Sequence, residues 1–193
     1  MDLISSIGLS SASGLNAYIP MLILGLMDRY TSLVELPAGW DWVSNGWVLT
    51  GVAVLLVVEF FADKIPVLDT VNDTVQSLVR PASGGIVFSS ALAGDQMFNP
   101  NSAAFTWGPF IAGAVIALAF HLAKMFTRPV ANASTAGLAA PVMSATGDVT
   151  SFFLAFTALL IPVLALLAIL LVLAAFAYLI WRVLKRRKSA PIS

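Results

Sequence analysis

Three polar side chains stand inside apolar sequence: Asn16, Glu59 and His121. At bilayer depth a group that hydrogen bonds or titrates is costly unless it finds a partner. Asn16 lies near the middle of the charge-free stretch 3–27, beside Ser13 and Tyr18. Such a cluster suits a polar cavity on a substrate or ion pathway. It equally suits interhelical packing, because Asn and Ser beside Gly14 let membrane helices approach closely. Glu59 shares a helical face with Gly51, Leu55 and Asp63, and His121 shares one with Pro109, Gly113 and Ala117. Intramembrane groups of these types act as proton relays or ion ligands. Glu59 is five residues before Lys64 and His121 three before Lys124. Snorkelling to an interface is therefore the competing role. Asp63, Asp69 and Asp73 carry the oxygen donors that Mg2+ or Ca2+ takes. Their spacing fits no metal loop, so Asp69 and Asp73 are weak metal candidates on a solvated helix face. No metal site and no cofactor is expected.

The composition removes most catalysts. The chain has 193 residues, one His and no Cys. Disulfides, thiolate nucleophiles and thiolate metal sites are excluded. Neither a Gly-rich phosphate loop nor a paired-His motif is present, and no enzyme is expected. Only 10% of residues are charged, 59% are hydrophobic, and the mean hydropathy is +0.92. Soluble domains carry about 25% charged residues. The expected surroundings are a lipid bilayer. Ten acidic and ten basic residues cancel. The basic run Arg182–Lys188 is the orientation signal that follows a span, not a nucleic-acid site.

These residues must be held by helices, and the expected fold is an all-α polytopic membrane bundle. About six membrane segments and one interfacial amphipathic helix form a single domain over 1–182, with a basic tail at 183–193. Residues 3–27 span as a retained helix, because no positive region marks a cleaved signal. Residues 47–62 and 103–123 also span. Pro66 to Val79 is amphipathic, started by Pro66. Residues 81–94 are too short to cross comfortably, and 129–147 are small and polar. Residues 149–181 reach about 50 Å as a straight helix. They must tilt, kink at Pro162 or overhang the bilayer.

Charge placement gives the threading. Lys64, Arg80, Lys124, Arg128, Arg182, Lys185, Arg186, Arg187 and Lys188 fit one side, and only Arg29 is left over. By the positive-inside rule both termini are cytoplasmic. Segments 1, 3 and 5 run outward, and 2, 4 and 6 return. Asp28, Asp95 and Asp148 then end the outward segments on the far side. Asp148 is expected to cap the last helix.

An internal repeat fits the same threading. Arg80-Pro81 and Arg128-Pro129 each open a small-residue helix, and Gly94-Asp95 and Gly147-Asp148 each end one. Three hairpins result, roughly 3–64, 81–127 and 129–182. Repeats of this kind build many transporters, with the site where they meet.

The stretches Ser10-Ser11-Ala12-Ser13-Gly14-Leu15-Asn16-Ala17-Tyr18-Ile19-Pro20, Glu59-Phe60-Phe61-Ala62-Asp63-Lys64-Ile65-Pro66, Asp69-Thr70-Val71-Asn72-Asp73 and Arg80-Pro81-Ala82-Ser83-Gly84 carry a resemblance. Through them the chain resembles a family of small bacterial integral membrane proteins catalogued only as a domain of unknown function. That resemblance covers most of the chain and implies a helical bundle in the bacterial inner membrane. It carries over no site residue. The leading expectation is passage of a small solute or ion through a polar interior. A structural or assembly role is the alternative, and a membrane-embedded enzyme acting on lipid is a second. A homo-oligomer and the identity of the solute are left open.

Overall fold

The structure, a computed structural model, describes residues 1–37, 39–62, 66–93, 103–135 and 139–188. Among them are seven α-helices and one 3-10 turn, and no strand. They are α1 Leu3–Leu15, α2 Tyr18–Tyr30, α3 Gly46–Ala62, α4 Pro66–Ala93, α5 Ala103–Thr135, α6 Ala139–Leu160 and α7 Pro162–Lys188.

α1 is the axis of the bundle. Asp2 caps it, its carboxylate accepting the Ser5 N–H at 2.7 Å. From Ser5 to Leu15 only Ile7 escapes full burial. Ser, Gly and Ala make this enclosure feasible, because small side chains let α4, α5, α6 and α7 close around one helix. Ser11 and Ser13 turn their hydroxyls back onto the carbonyls of Ile7 and Leu9. Ser13 therefore satisfies its hydroxyl within α1.

Gly positions set the closest approaches. A Cβ on Gly84 would come within 3.0 Å of the Ala117 side chain and of the Gly113 carbonyl, and one on Gly8 would lie 2.5 Å from the Ala158 Cβ. Gly51, by contrast, has nothing within 4 Å of its missing Cβ. Gly84→Leu is expected to destabilise the fold by about 3 kcal/mol, the upper end for overpacking against backbone. Gly51→Leu should behave as wild type. Size-exclusion profiles of the two purified variants check this, and equal monodisperse yields would contradict it.

Several elements differ from the expected ones. The first span is two helices, broken at Asn16-Ala17. Pro66 to Ala93 is one helix, so the amphipathic segment and the short segment 81–94 belong together, with Pro81 inside. α5 runs through Pro129, and Gly147-Asp148 lies inside α6. The landmarks of the repeat therefore do not open and close helices as expected. Gly94-Asp95 and the Asp63-Lys64 turn lie outside the described residues. The break at Ile161-Pro162 does occur, with Pro162 at the first position of α7, where no N–H is needed.

Register fixes relative direction. Ser10 meets Gly113, Gly14 meets Ala117, and Leu15 meets Lys124, so α5 runs parallel to α1. Asn16 meets Asp148, Ala12 meets Ser151, and Gly8 meets Ala158, so α6 is antiparallel. The charge-based threading needs the fourth segment to run against the first, with Lys124 at an interface. Instead Lys124 is buried level with Leu15, where it donates to the Leu15 carbonyl.

Among the described residues, three helices are long and apolar enough to cross a membrane: Trp107–Thr127, Val142–Leu160 and Pro162–Trp181. α3 is apolar but shorter. It is exposed along most of its length and begins beside Trp47, itself 85% exposed. Exposed Val, Leu and Phe in such density need lipid as solvent. The chain is a membrane protein.

Candidate functional site

The break at Asn16 is where the buried chemistry collects. Asn16 adopts an extended backbone, φ −146° and ψ 126°, and ends α1. Its side-chain oxygen accepts the N–H groups of Tyr18 (2.9 Å) and Ile19 (3.1 Å), capping α2. Pro20 stands in the first turn of α2, where its lack of an N–H costs nothing. The other end of the amide donates to the Asp148 carboxylate at 2.9 Å. Asn16 thus holds two helix halves and a third helix at once.

A broken helix leaves carbonyls without intrahelical partners. Side chains from three helices take them. From α5, Lys124 Nζ donates to the Leu15 carbonyl at 2.9 Å. From α4, Ser83 donates to the Ala17 carbonyl at 2.5 Å, and Arg80 Nη1 approaches the Gly14 carbonyl at 3.4 Å. From α6, Ser151 adds a bond at 2.9 Å to the Ala12 carbonyl, which already accepts the Asn16 N–H at 3.0 Å. Two cations thereby sit at the negative end of the α1 dipole. Both are buried, Arg80 to 1% exposed and Lys124 to 3%.

Arg80 extends the network outward. Its Nη2 pairs with the buried Glu59 carboxylate of α3 at 3.1 Å, and its Nη1 lies 3.1 Å from His121 Nδ1. A guanidinium only donates, so Nδ1 is an acceptor and His121 is neutral. Its proton is then on Nε2, which donates to Ser77 Oγ at 3.0 Å. A proton on Nδ1 and the Arg80 contact exclude each other. Gln76, one turn before Arg80, faces the Tyr18 phenol. Arg80 Nε and Gln76 Oε1 are buried with no hydrogen-bond partner among the described residues.

Asn16, Tyr18, Glu59 and His121 are therefore brought to one polar interior, joined through Arg80 and Gln76. Asp63 lies outside the described residues, as do the side chains of Asp69 and Asp73. Asp148 does not cap a helix; it is the Asn16 partner inside α6. Asp28 instead braces the α2–α3 connection, accepting the Leu36 N–H at 2.7 Å. Among the described residues no group of three metal-ligating side chains forms.

Arg80, Lys124, Gln76, Ser83 and Ser151 do not stand out as site residues in the sequence. Their signal lies in periodicity. Gln76, Arg80, Ser83, Gly84, Val87 and Ala91 form one helical face once Pro81 is allowed inside the helix. Lys124 continues the Gly113, Ala117 and His121 face by one further turn.

A family model described as "Domain of unknown function (DUF4126)" matches residues 3–182. No curated protein matches the chain, and no solved structure does.

Proposed function

For this chain, which belongs to the DUF4126 family of unknown function, we propose passage of a small solute or ion across the membrane. The path is the interior around Asn16-Ala17, and the protein is a multi-pass component of a bacterial inner membrane with its basic tail in the cytoplasm. One observation carries this: the central helix is broken at mid-bundle, among buried ionisable groups. Non-helical backbone at membrane depth is tolerated where protein encloses it or a water-filled cavity meets it. Discontinuous helices of this kind form the substrate and coupling-ion sites of many transporters. Glu59, His121 and Lys124 supply groups that can exchange protons beside the break, as proton relays require.

A structural role is favoured by a different observation. Protein groups take the carbonyls of Ala12, Leu15 and Ala17, as a packed knot would require.

Water access separates the two. The chain has no Cys, so Ala17→Cys gives a single thiol at the break without touching either cap. Ala17 is fully buried in the present state. Under the transport reading, a membrane-impermeant thiol reagent modifies it in intact vesicles as the interior opens. Protection from both faces, with full labelling after denaturation, would favour the knot and end the transport reading.

A further inference from the structure

His121 is the only histidine in the chain, it is 1% exposed, and its ring helps to hold Arg80 at the helix break. Nη1 of Arg80 reaches His121 Nδ1 at 3.1 Å and the Gly14 carbonyl at 3.4 Å, so one nitrogen ties α4 to α5 and to the broken end of α1. The tie to α5 needs the lone pair on Nδ1. A proton there would set an N–H against a guanidinium that can only donate. Arg80 has another place to go. Its Nε and Nη2 share the guanidinium edge that a carboxylate can take with both oxygens. The Glu59 carboxylate meets Nη2 at 3.1 Å, and Nε is buried without a partner among the described residues. A small turn toward Glu59 gives Nε that partner and withdraws Nη1 from His121 and Gly14. The vacated Gly14 carbonyl then stands beside the imidazolium as an acceptor.

We infer that the proton is the coupling ion of the path through this break, bound at His121 Nδ1, and that its arrival withdraws Arg80 onto Glu59; this rests on the transport reading. The proton comes from water, and no bond other than N–H forms. With His121 neutral, the carboxylates of Glu59 and Asp148 balance Arg80 and Lys124. The proton adds one positive charge to a buried site, and the like charges separate. Groups from every neighbouring helix bear on this. From α4, Arg80 and Ser77 face the ring, with Ser77 Oγ 3.0 Å from Nε2, and Glu59 of α3 stands behind Arg80. Lys124 follows on α5 and sits on the Leu15 carbonyl, and Asp148, the only charged residue of α6, binds the Asn16 amide. α1 has no ionisable side chain, and α7 has only Tyr178 between Pro162 and Trp181. Asp69 and Asp73 of α4 and Arg128 of α5 have side chains outside the described residues.

One histidine gives one pair of ring-nitrogen signals, so 15N-histidine labelling of the full chain, free of any affinity tag, reads the ring directly. At about pH 8 the spectrum should show the neutral ring with its proton on Nε2, and at about pH 5 the imidazolium. The Arg80 Nε–H resonance, identified by its absence in Arg80→Lys, should move with the same midpoint. In proteoliposomes, Ala17→Cys should react with an impermeant thiol reagent at least about tenfold faster at the lower pH, as when a minor state of at most ~10% becomes dominant. Each rate is divided by that of the unfolded variant at the same pH, which removes the titration of the thiol itself. His121→Asn offers an amide oxygen to Arg80 near the place of Nδ1 and takes up no proton. In that background Ala17→Cys should label equally slowly at both pH values. A neutral ring throughout, a proton on Nδ1 at the higher pH, or the same pH response in His121→Asn overturns the inference. Titration of His121 with movement of Arg80, while Ala17→Cys stays protected at both pH values, ends the transport reading and leaves the proton switch standing. Labelling that ignores pH keeps the transport reading and sinks the coupling.

Discussion

Glu59→Leu is expected to destabilise the bundle by about 3–5 kcal/mol, the cost of stranding one partner of a buried ion pair. The stranded group is Arg80, 1% exposed and paired with Glu59 at 3.1 Å. Its Nε already lacks a partner among the described residues. The double variant Glu59→Leu/Arg80→Met should recover most of this loss, since it removes both charges and leaves apolar groups of similar length. The remaining deficit is about 1 kcal/mol, for His121 and Gly14 losing their donor. Denaturant titrations of wild type, Glu59→Leu, Arg80→Met and the double variant in one micelle composition give the coupling energy directly. A Glu59→Leu protein within about 0.5 kcal/mol of wild type would mean that the guanidinium reaches water and the ion pair is not buried.

The same pair explains why the membrane threading misled while the membrane assignment did not. Positive-inside counting treats each Lys and Arg as solvated. Arg80 and Lys124 are not. One is neutralised by Glu59 and the other sits on the Leu15 carbonyl, so neither reports a side of the bilayer. Composition and exposed apolar surface are bulk properties, and the all-helical membrane character followed from them directly. Asn16 was legible as the sharpest residue because a lone amide in an apolar stretch must be satisfied. Its partner was not legible. Asp148 is 132 residues away in the chain, and only the antiparallel packing of α6 on α1 brings them together. The helix ends at Pro81 and Pro129 were misplaced for a local reason. Proline is a strong helix-ending signal in water, but neighbouring helices can satisfy the backbone groups it frees inside a bundle.

Exchanging the two partners gives the last expected result. Asn16→Asp alone keeps an oxygen for the Tyr18 and Ile19 N–H groups but sets a carboxylate against Asp148, where the present bond is 2.9 Å. Two like charges there should cost about 3 kcal/mol, combining the lost charge-assisted bond with repulsion. Asp148→Asn alone is milder, at about 1 kcal/mol, because the two amides can still bond. The double exchange, Asn16→Asp/Asp148→Asn, restores everything the site needs. The new carboxylate at position 16 would cap α2 with one oxygen and accept the new amide at position 148 with the other. Thermal unfolding of the double variant should therefore match Asp148→Asn or exceed it, although it contains the damaging substitution. If the double variant is as unstable as Asn16→Asp, the contact at the break does not hold α1, α2 and α6 together. The exchanged protein also sharpens the functional question. It keeps the fold and net charge but moves a carboxylate from α6 to the helix break, one residue from the Leu15 carbonyl that Lys124 occupies. A packing knot would be indifferent to that move. A site that handles ions would change its ion selectivity or pH profile while its Tm stayed the same.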